Sequence, residues 1–203
     1  MKRSDNHMKL VKRIGFAMGL IAALGCFGLM NVQAQPTIYL VRHAEKLANW
    51  PSGQAGHFQP LSVEGMARAK RLADRFEKGS LTAIYSSLTT RTLHTAFPVS
   101  EKLGIPIQIA NACMDTSAID TFLAEIGKNY SRNDAVLLVA HSNIVPYLLV
   151  KSGLSYGCRV QMGIIQTSAS RWLLIEGYDH LWRIDSAEID GESCSGFRRL
   201  KFE

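Results

Sequence analysis

No segment of this chain repeats, no tract is of low complexity, and no Pro/Gly/Ser-rich stretch is long enough to join two domains. Solenoids, propellers and tandem-domain architectures are thereby excluded. Metal-ligand spacing of the His-Glu-x-x-His kind is missing, so neither a metal ion nor another cofactor is expected. Cysteine is scarce, with four in 203 residues, and its spacing is not that of a zinc site. Beyond residue 34 only Cys113, Cys158 and Cys194 remain. An odd number permits one disulfide and one free thiol in an exported chain, and Cys158 with Cys194 is the preferred pair because both lie outside the motif-bearing segments. No apolar run past residue 34 approaches the roughly 20 residues of a membrane span.

What is present begins with a leader. Lys9, Lys12 and Arg13 precede an apolar run from Ile14 to Met30, followed by Val32-Gln33-Ala34. That order of basic region, apolar region and small-x-small site predicts a cleaved secretory signal over residues 1–34. The remainder, 35–203, is expected to be one domain, periplasmic or secreted. The run is short for an uncleaved anchor. Ala23-Leu24-Gly25-Cys26 is a poor lipidation site because apolar residues continue after the cysteine. The leader also accounts for much of the basic balance: it holds five basic residues and one acid, a net of +4 against +6 for the whole chain, leaving +2. Nucleic-acid binding thereby loses its main support.

Within the domain, Ile38-Tyr39-Leu40-Val41 and Ala135-Val136-Leu137-Leu138-Val139-Ala140 read as buried parallel strands. The first stops at Arg42-His43-Ala44-Glu45-Lys46, the second at His141-Ser142-Asn143. Ligands of open α/β sheets bind at the carboxyl ends of strands, so two histidines delivered there predict a site. Leu81–Tyr85 and Ile105–Ile109 are further strands, the second near a sheet edge because of Pro106.

Three helical patterns alternate with these strands. The first opens at Ser62 as N-cap, with an inner stripe of Met66, Ala69, Leu72, Ala73 and Phe76 and a stop at Gly79. The second carries Arg91 in its first turn, where backbone N–H groups favour an anion, and its expected stripe is Leu93, Ala96, Phe97, Val99 and Leu103. The third begins near Ser117, after a loop holding Asp115. A short helix follows Ser142. Gly163–Ile165, Ser170–Ile175 and His180–Ile184 read as strands, the last two as a hairpin, with Trp172 and Trp182 as packing residues. Arg198-Arg199-Leu200-Lys201 reads as a solvated basic tail.

Arg42-His43-Ala44-Glu45-Lys46, then Leu61-Ser62-Val63-Glu64-Gly65-Met66-Ala67-Arg68-Ala69, then Ser87-Leu88-Thr89-Thr90-Arg91-Thr92, then His141 resemble, in order, the motifs of the histidine phosphatase superfamily, also called phosphoglycerate mutase-like. The resemblance runs from about Thr37 to Gly153. It implies a three-layer α/β/α sandwich with a mainly parallel central sheet. It also implies a metal-independent phosphatase of small phosphorylated substrates, with His43 as nucleophile and Arg42, Arg91 and a protonated His141 on the phosphate. Asn49 falls where mutase relatives carry a substrate-contacting asparagine, and an ordinary turn asparagine is the competing reading.

The match thins at the leaving-group acid. Mutase relatives carry a glutamate after the second arginine, and acid-phosphatase relatives an aspartate after the late histidine, where this chain has Ser142. Asp115 is the candidate acid, with Glu45 as the alternative. Glu45 and Ser142 are otherwise candidate substrate contacts. The main reading is an exported phosphatase working through a phosphohistidine. Its alternatives are a phosphate-binding module without turnover, a phosphomutase, and an enzyme that dephosphorylates lipopolysaccharide-core sugars.

Overall fold

A computed structural model describes residues 35–167 and 173–202. The expected leader and Trp172, with the start of the strand expected from Ser170, lie outside the described residues. In chain order the described elements are β1 (Thr37–Arg42), α1 (Val63–Ala73), β2 (Ala83–Ser86), α2 (Thr90–Leu103), β3 (Ile107–Ile109), α3 (Ile119–Asn129), β4 (Ala135–Ala140), α4 (Val145–Lys151), β5 (Ile164–Gln166), β6 (Leu173–Ile175), β7 (His180–Asp185) and β8 (Phe197–Lys201).

A strand buried on both faces needs apolar side chains on both, and β4 supplies them without interruption from Val136 to Ala140. It lies inside a six-stranded sheet of order β3-β2-β4-β1-β7-β8. The first four strands are mutually parallel, β7 runs antiparallel to β1, and β8 antiparallel to β7. Alternation along the strands sends Val41, Ile84, Leu137 and Val139 against α1 and α2, and Ile38, Leu40, Val136 and Leu138 against α3 and α4. The expected α/β/α sandwich with a mainly parallel sheet is what these layers make.

Register decides where the chemistry falls. Arg42 is the Cα partner of Ala140 in the β1–β4 ladder, and the amide of His43 donates to the Ala140 carbonyl at 2.9 Å. The next residue on each strand is a histidine, so two imidazoles leave the sheet side by side. β2 flanks β4 on its other side and ends beside Val139, which adds Ser87 to the same rim.

The motif around α1 turns out to be scaffold. Ser62 Oγ caps the helix by accepting from the Gly65 amide at 3.1 Å, and the Ser62 amide donates to the Glu45 carbonyl at 2.9 Å. Gly65 has no room for a side chain, since a Cβ would stand 2.1 Å from the Glu45 carbonyl oxygen. Three residues on, Arg68 holds the Glu45 carboxylate with Nε at 2.7 and 2.9 Å from its two oxygens and Nη2 at 2.7 Å. The segment that follows His43 is thus fastened to α1 by a cap, a close backbone approach and a forked ion pair.

Several expectations are corrected. α1 ends at Ala73, and Gly79 serves the turn into β2 at φ +85. Met66 is exposed, as is Phe97, at 56%. The buried face of α2 is instead Thr92, Thr95, Ala96, Val99 and Leu103. The threonines can turn inward because their hydroxyls find partners there. The expected hairpin between the last two strands does not form: β6 pairs with β5 in a separate ribbon, while β7 joins the main sheet. The basic tail is β8, an edge strand whose Phe197 and the following Phe202 are buried while Arg198, Arg199 and Lys201 face solvent. Charges on an edge strand are a usual guard against edge-to-edge pairing. Cys158 and Cys194 form a disulfide and Cys113 is free and buried.

Candidate active site

Arg42, His43, Arg91 and His141 are brought together at the carboxyl ends of β1 and β4. The two imidazole rings lie 5.3 Å apart, centroid to centroid, at 66°. Both are buried, His43 at 5% and His141 at 9% exposure. Removal from water disfavours the cationic form, and this is the largest cause that pushes His43 down to about 3 from 6.5. Its bond to Ala44 acts in the opposite sense, and the charges of His141, Arg91 and Arg42 add to the lowering. Burial, then Arg91 and Arg42, likewise bring His141 down to about 4.

Hydrogen bonds fix both tautomers. His43 Nδ1 is 2.8 Å from the Ala44 carbonyl, which can only accept, so Nδ1 carries the proton and Nε2 the free lone pair. At His141 the partners are reversed. Arg91 Nη2 lies 3.4 Å from Nδ1 and can only donate, so the proton is on Nε2, which donates to Ser87 Oγ at 2.9 Å. These contacts and the lowered pKa hold His141 neutral here. Ser87 is braced by Thr92 Oγ1 at 2.8 Å and Thr89 Oγ1 at 3.3 Å, all buried. These hydroxyls are the Ser-x-x-x-Arg-Thr motif seen from inside.

Thr95 makes a second brace. Its hydroxyl accepts from the Ala44 amide at 3.0 Å and donates to the Arg91 carbonyl at 2.7 Å. One buried side chain thereby couples the residue after His43 to the helix that carries Arg91. Helical periodicity gives no sign of it, since threonine counts as polar in such a pattern.

The two arginines are half-buried cations, and among the described residues neither has a carboxylate within ion-pair distance. Arg91 Nη1 donates to the Gly56 carbonyl at 2.8 Å, which draws the Trp50–Pro60 loop to the site. Arg42 donates from Nη1 to the Gly177 carbonyl and from Nη2 to the Tyr178 hydroxyl, each at 3.0 Å. Its Nε is buried with no hydrogen-bond partner among the described residues. Two positive charges beside two neutral imidazoles, held by neutral acceptors, form a cluster whose charge suits a dianion. Among the described residues no cluster of three His, Cys, Asp or Glu is placed to hold a metal ion.

The expected acids are elsewhere. Asp115 is exposed, and its Oδ1 accepts from the Ser117 amide at 2.9 Å and hydroxyl at 2.8 Å, which hold it below the usual carboxylate range. A general acid needs the opposite shift. Burial would raise Glu45, but its bonds to Arg68 and its own amide, and the charges of Arg68 and Arg71, outweigh that and hold it low as well. Asn49 is exposed in its loop, and the Ser142 carbonyl accepts from the Ile175 amide at 3.0 Å. Among the described residues none of these four makes a polar contact with the arginine–histidine cluster. Tyr178, by contrast, was not anticipated. It enters from the connection before β7, more than 130 residues along the chain from Arg42.

Two buried neutral histidines make stability pH-dependent. A folded pKa below the unfolded 6.5 means the unfolded chain binds more protons at acid pH. The contribution is complete above pH 6.5 and is lost as pH falls towards about 4 for His141 and about 3 for His43. Each histidine costs up to about 1.4 kcal/mol per pH unit through that window. Urea midpoints at pH 7 and pH 4.5 should therefore converge between wild type and a His43→Asn/His141→Asn variant, or cross in favour of the variant. A constant difference would show that the imidazoles are not held neutral.

Residues 38–120 match the family model of the histidine phosphatase superfamily (branch 1). No curated protein matches the chain. Solved structures of similar fold include a protein assigned as the phosphohistidine phosphatase SixA from Agrobacterium tumefaciens, 21% identical, TM-score 0.55, with 83% of this chain and 97% of that one covered. A protein histidine phosphatase SixA complexed with tungstate is 14% identical, TM-score 0.55, covering 81% and 96%. A mycobacterial glucosyl-3-phosphoglycerate phosphatase is 15% identical, TM-score 0.55, covering 82% and 98%. At these identities the likeness is one of fold.

Proposed function

We propose that this chain, which carries the histidine phosphatase superfamily (branch 1) pattern over residues 38–120, is a phosphatase that works through a phosphohistidine on His43. The observation that carries the reading is the pair of carboxylate-free guanidinium groups beside a neutral imidazole of fixed tautomer. A phosphoryl dianion brings the missing negative charge. Arg42 and Arg91 stabilise the charge on its oxygens while Nε2 of His43 forms a bond to phosphorus and the bond to the leaving group breaks, the electron pair going with the leaving group. Water then attacks the phosphohistidine, releasing inorganic phosphate and restoring the free imidazole. Arrival of the dianion also favours proton uptake by His141, which can then donate to a phosphate oxygen.

No candidate carboxylate stands ready to protonate the leaving group. We therefore assign the enzyme substrates whose leaving groups depart with little help: acyl phosphates, pyrophosphates or phosphoramidates. The two SixA neighbours, named for phosphohistidine or protein histidine, add weight to a phosphoramidate. Initial rates on acetyl phosphate, phosphoramidate, para-nitrophenyl phosphate and glycerol phosphate form the test. Alkyl phosphate is expected to be slower than acetyl phosphate by at least about a hundredfold, the scale of a missing general acid. Equal rates would mean that an acid is present after all. Phosphate binding without turnover of any substrate would instead favour the phosphate-binding module.

We also propose that the protein is exported, with the first 34 residues as a cleaved signal. The Cys158–Cys194 disulfide supports an oxidising compartment. Among the described residues no helix is long and apolar enough to cross a membrane.

A further inference from the structure

We propose that Tyr178 is a positioning residue that fixes Arg42 for phosphate binding; the proposal rests on the phosphatase reading above. Tyr178 lies in the four-residue connection from β6 to β7. Its hydroxyl accepts from Arg42 Nη2 at 3.0 Å, and the guanidinium carbon sits 3.9 Å from the centroid of its ring. The neighbouring Gly177 carbonyl accepts from Nη1 at 3.0 Å. One short loop therefore holds the cation by its edge and by its face. The ring is also 6.1 Å from that of His43, so it walls the space between the arginine and the proposed nucleophile.

The loop is itself anchored. Gly177 adopts φ +74, a conformation that side chains rarely take, and a Cβ there would stand 3.1 Å from Asp179 Oδ1. The Asp179 carbonyl accepts from the Phe202 amide at 2.9 Å, and its carboxylate pairs with Lys201 at 3.5 Å. An arginine without a carboxylate partner has a long stem free to swing towards water. Tyr178 removes that freedom.

The test is a double-mutant cycle read in two ways: the dissociation constant of tungstate by calorimetry, and KM against kcat on acetyl phosphate. Tyr178→Phe keeps the ring and removes the hydroxyl, and should weaken tungstate binding and raise KM about tenfold with kcat changed less than about threefold. Tyr178→Leu removes the ring as well and should weaken both about a hundredfold. In an Arg42→Lys background Tyr178→Phe should change tungstate affinity by less than about twofold, because the hydroxyl then has no fork to orient. Equal effects in both backgrounds, or tungstate affinity indifferent to Tyr178, would overturn the proposal. Coupling in tungstate binding without any turnover would sustain Tyr178 while refuting the phosphatase reading. No tungstate binding by the wild type would remove the clamp and the proposal together.

Discussion

His43→Ala is expected to lower turnover of acetyl phosphate by roughly 1,000-fold or more, the scale seen when a nucleophile is removed from a site that otherwise remains intact. The size of the effect follows from the absence of a substitute. Ser87 and Thr92 are turned into their own buried network, and the Tyr178 hydroxyl is engaged by Arg42. The clamp should survive, since Arg42 and Arg91 are held by Gly177, Tyr178 and Gly56 rather than by the imidazole of His43. Tungstate should accordingly still bind the variant within a few-fold of wild type. Turnover kept within about tenfold of wild type would show that phosphate is transferred directly to water, and the two-step route would have to be abandoned.

Arg91→Ala is expected to be the next most damaging change, costing about 10²–10³ in kcat/KM, as for loss of one charge-stabilising donor in a water-poor site. It removes two things at once. The first is half of the positive charge that meets the phosphoryl group. The second is the donor that keeps Nδ1 of His141 unprotonated, at 3.4 Å. Burial is the larger cause of the low His141 pKa and Arg91 the next, so the midpoint should rise from about 4 without reaching 6.5. Imidazole proton shifts in NMR titrations would follow that rise. Arg91→Lys should recover part of the rate, because it restores charge but not the planar fork. A loss in kcat/KM below about fivefold for Arg91→Ala would place the arginine outside the reaction.

The parts of the site that were legible in the sequence are those whose signal is local. β1 and β4 are uninterrupted apolar runs that stop at a histidine, and a parallel sheet aligns such stops at one end. Arg91 could be read from its first-turn position and its serine and threonine neighbours. That the two histidines share one site follows from both strands ending in a histidine at the same sheet end, but their direct adjacency does not. It depends on β4 lying next to β1, which is a fact of strand order. The expected acids failed for a related reason. A carboxylate's role depends on its partners, and Asp115 has Ser117, while Glu45 has Arg68, 23 residues away.

Apolar periodicity misplaces a helix face where polar groups are satisfied inside. Thr92 and Thr95 displace Phe97 from the buried stripe because each hydroxyl completes a bond within the site. At the end of the chain, adjacency in sequence suggests a hairpin that does not form. The connection from β6 to β7 in fact leaves one sheet for another, and on the way it delivers Tyr178 to Arg42. The Arg-Arg-Leu-Lys tail has the composition of a solvated end, but antiparallel pairing with β7 makes it an edge strand, with Phe197 and Phe202 buried at its two ends.

The most direct measurement is to mix the protein with labelled acetyl phosphate, quench within the first turnovers, and map the label. The account predicts one phosphoryl group on His43, stable in alkali, labile in acid, and absent from His43→Ala. Rapid turnover with no trapped phosphoenzyme under any quench, or label on a side chain other than His43, would contradict it.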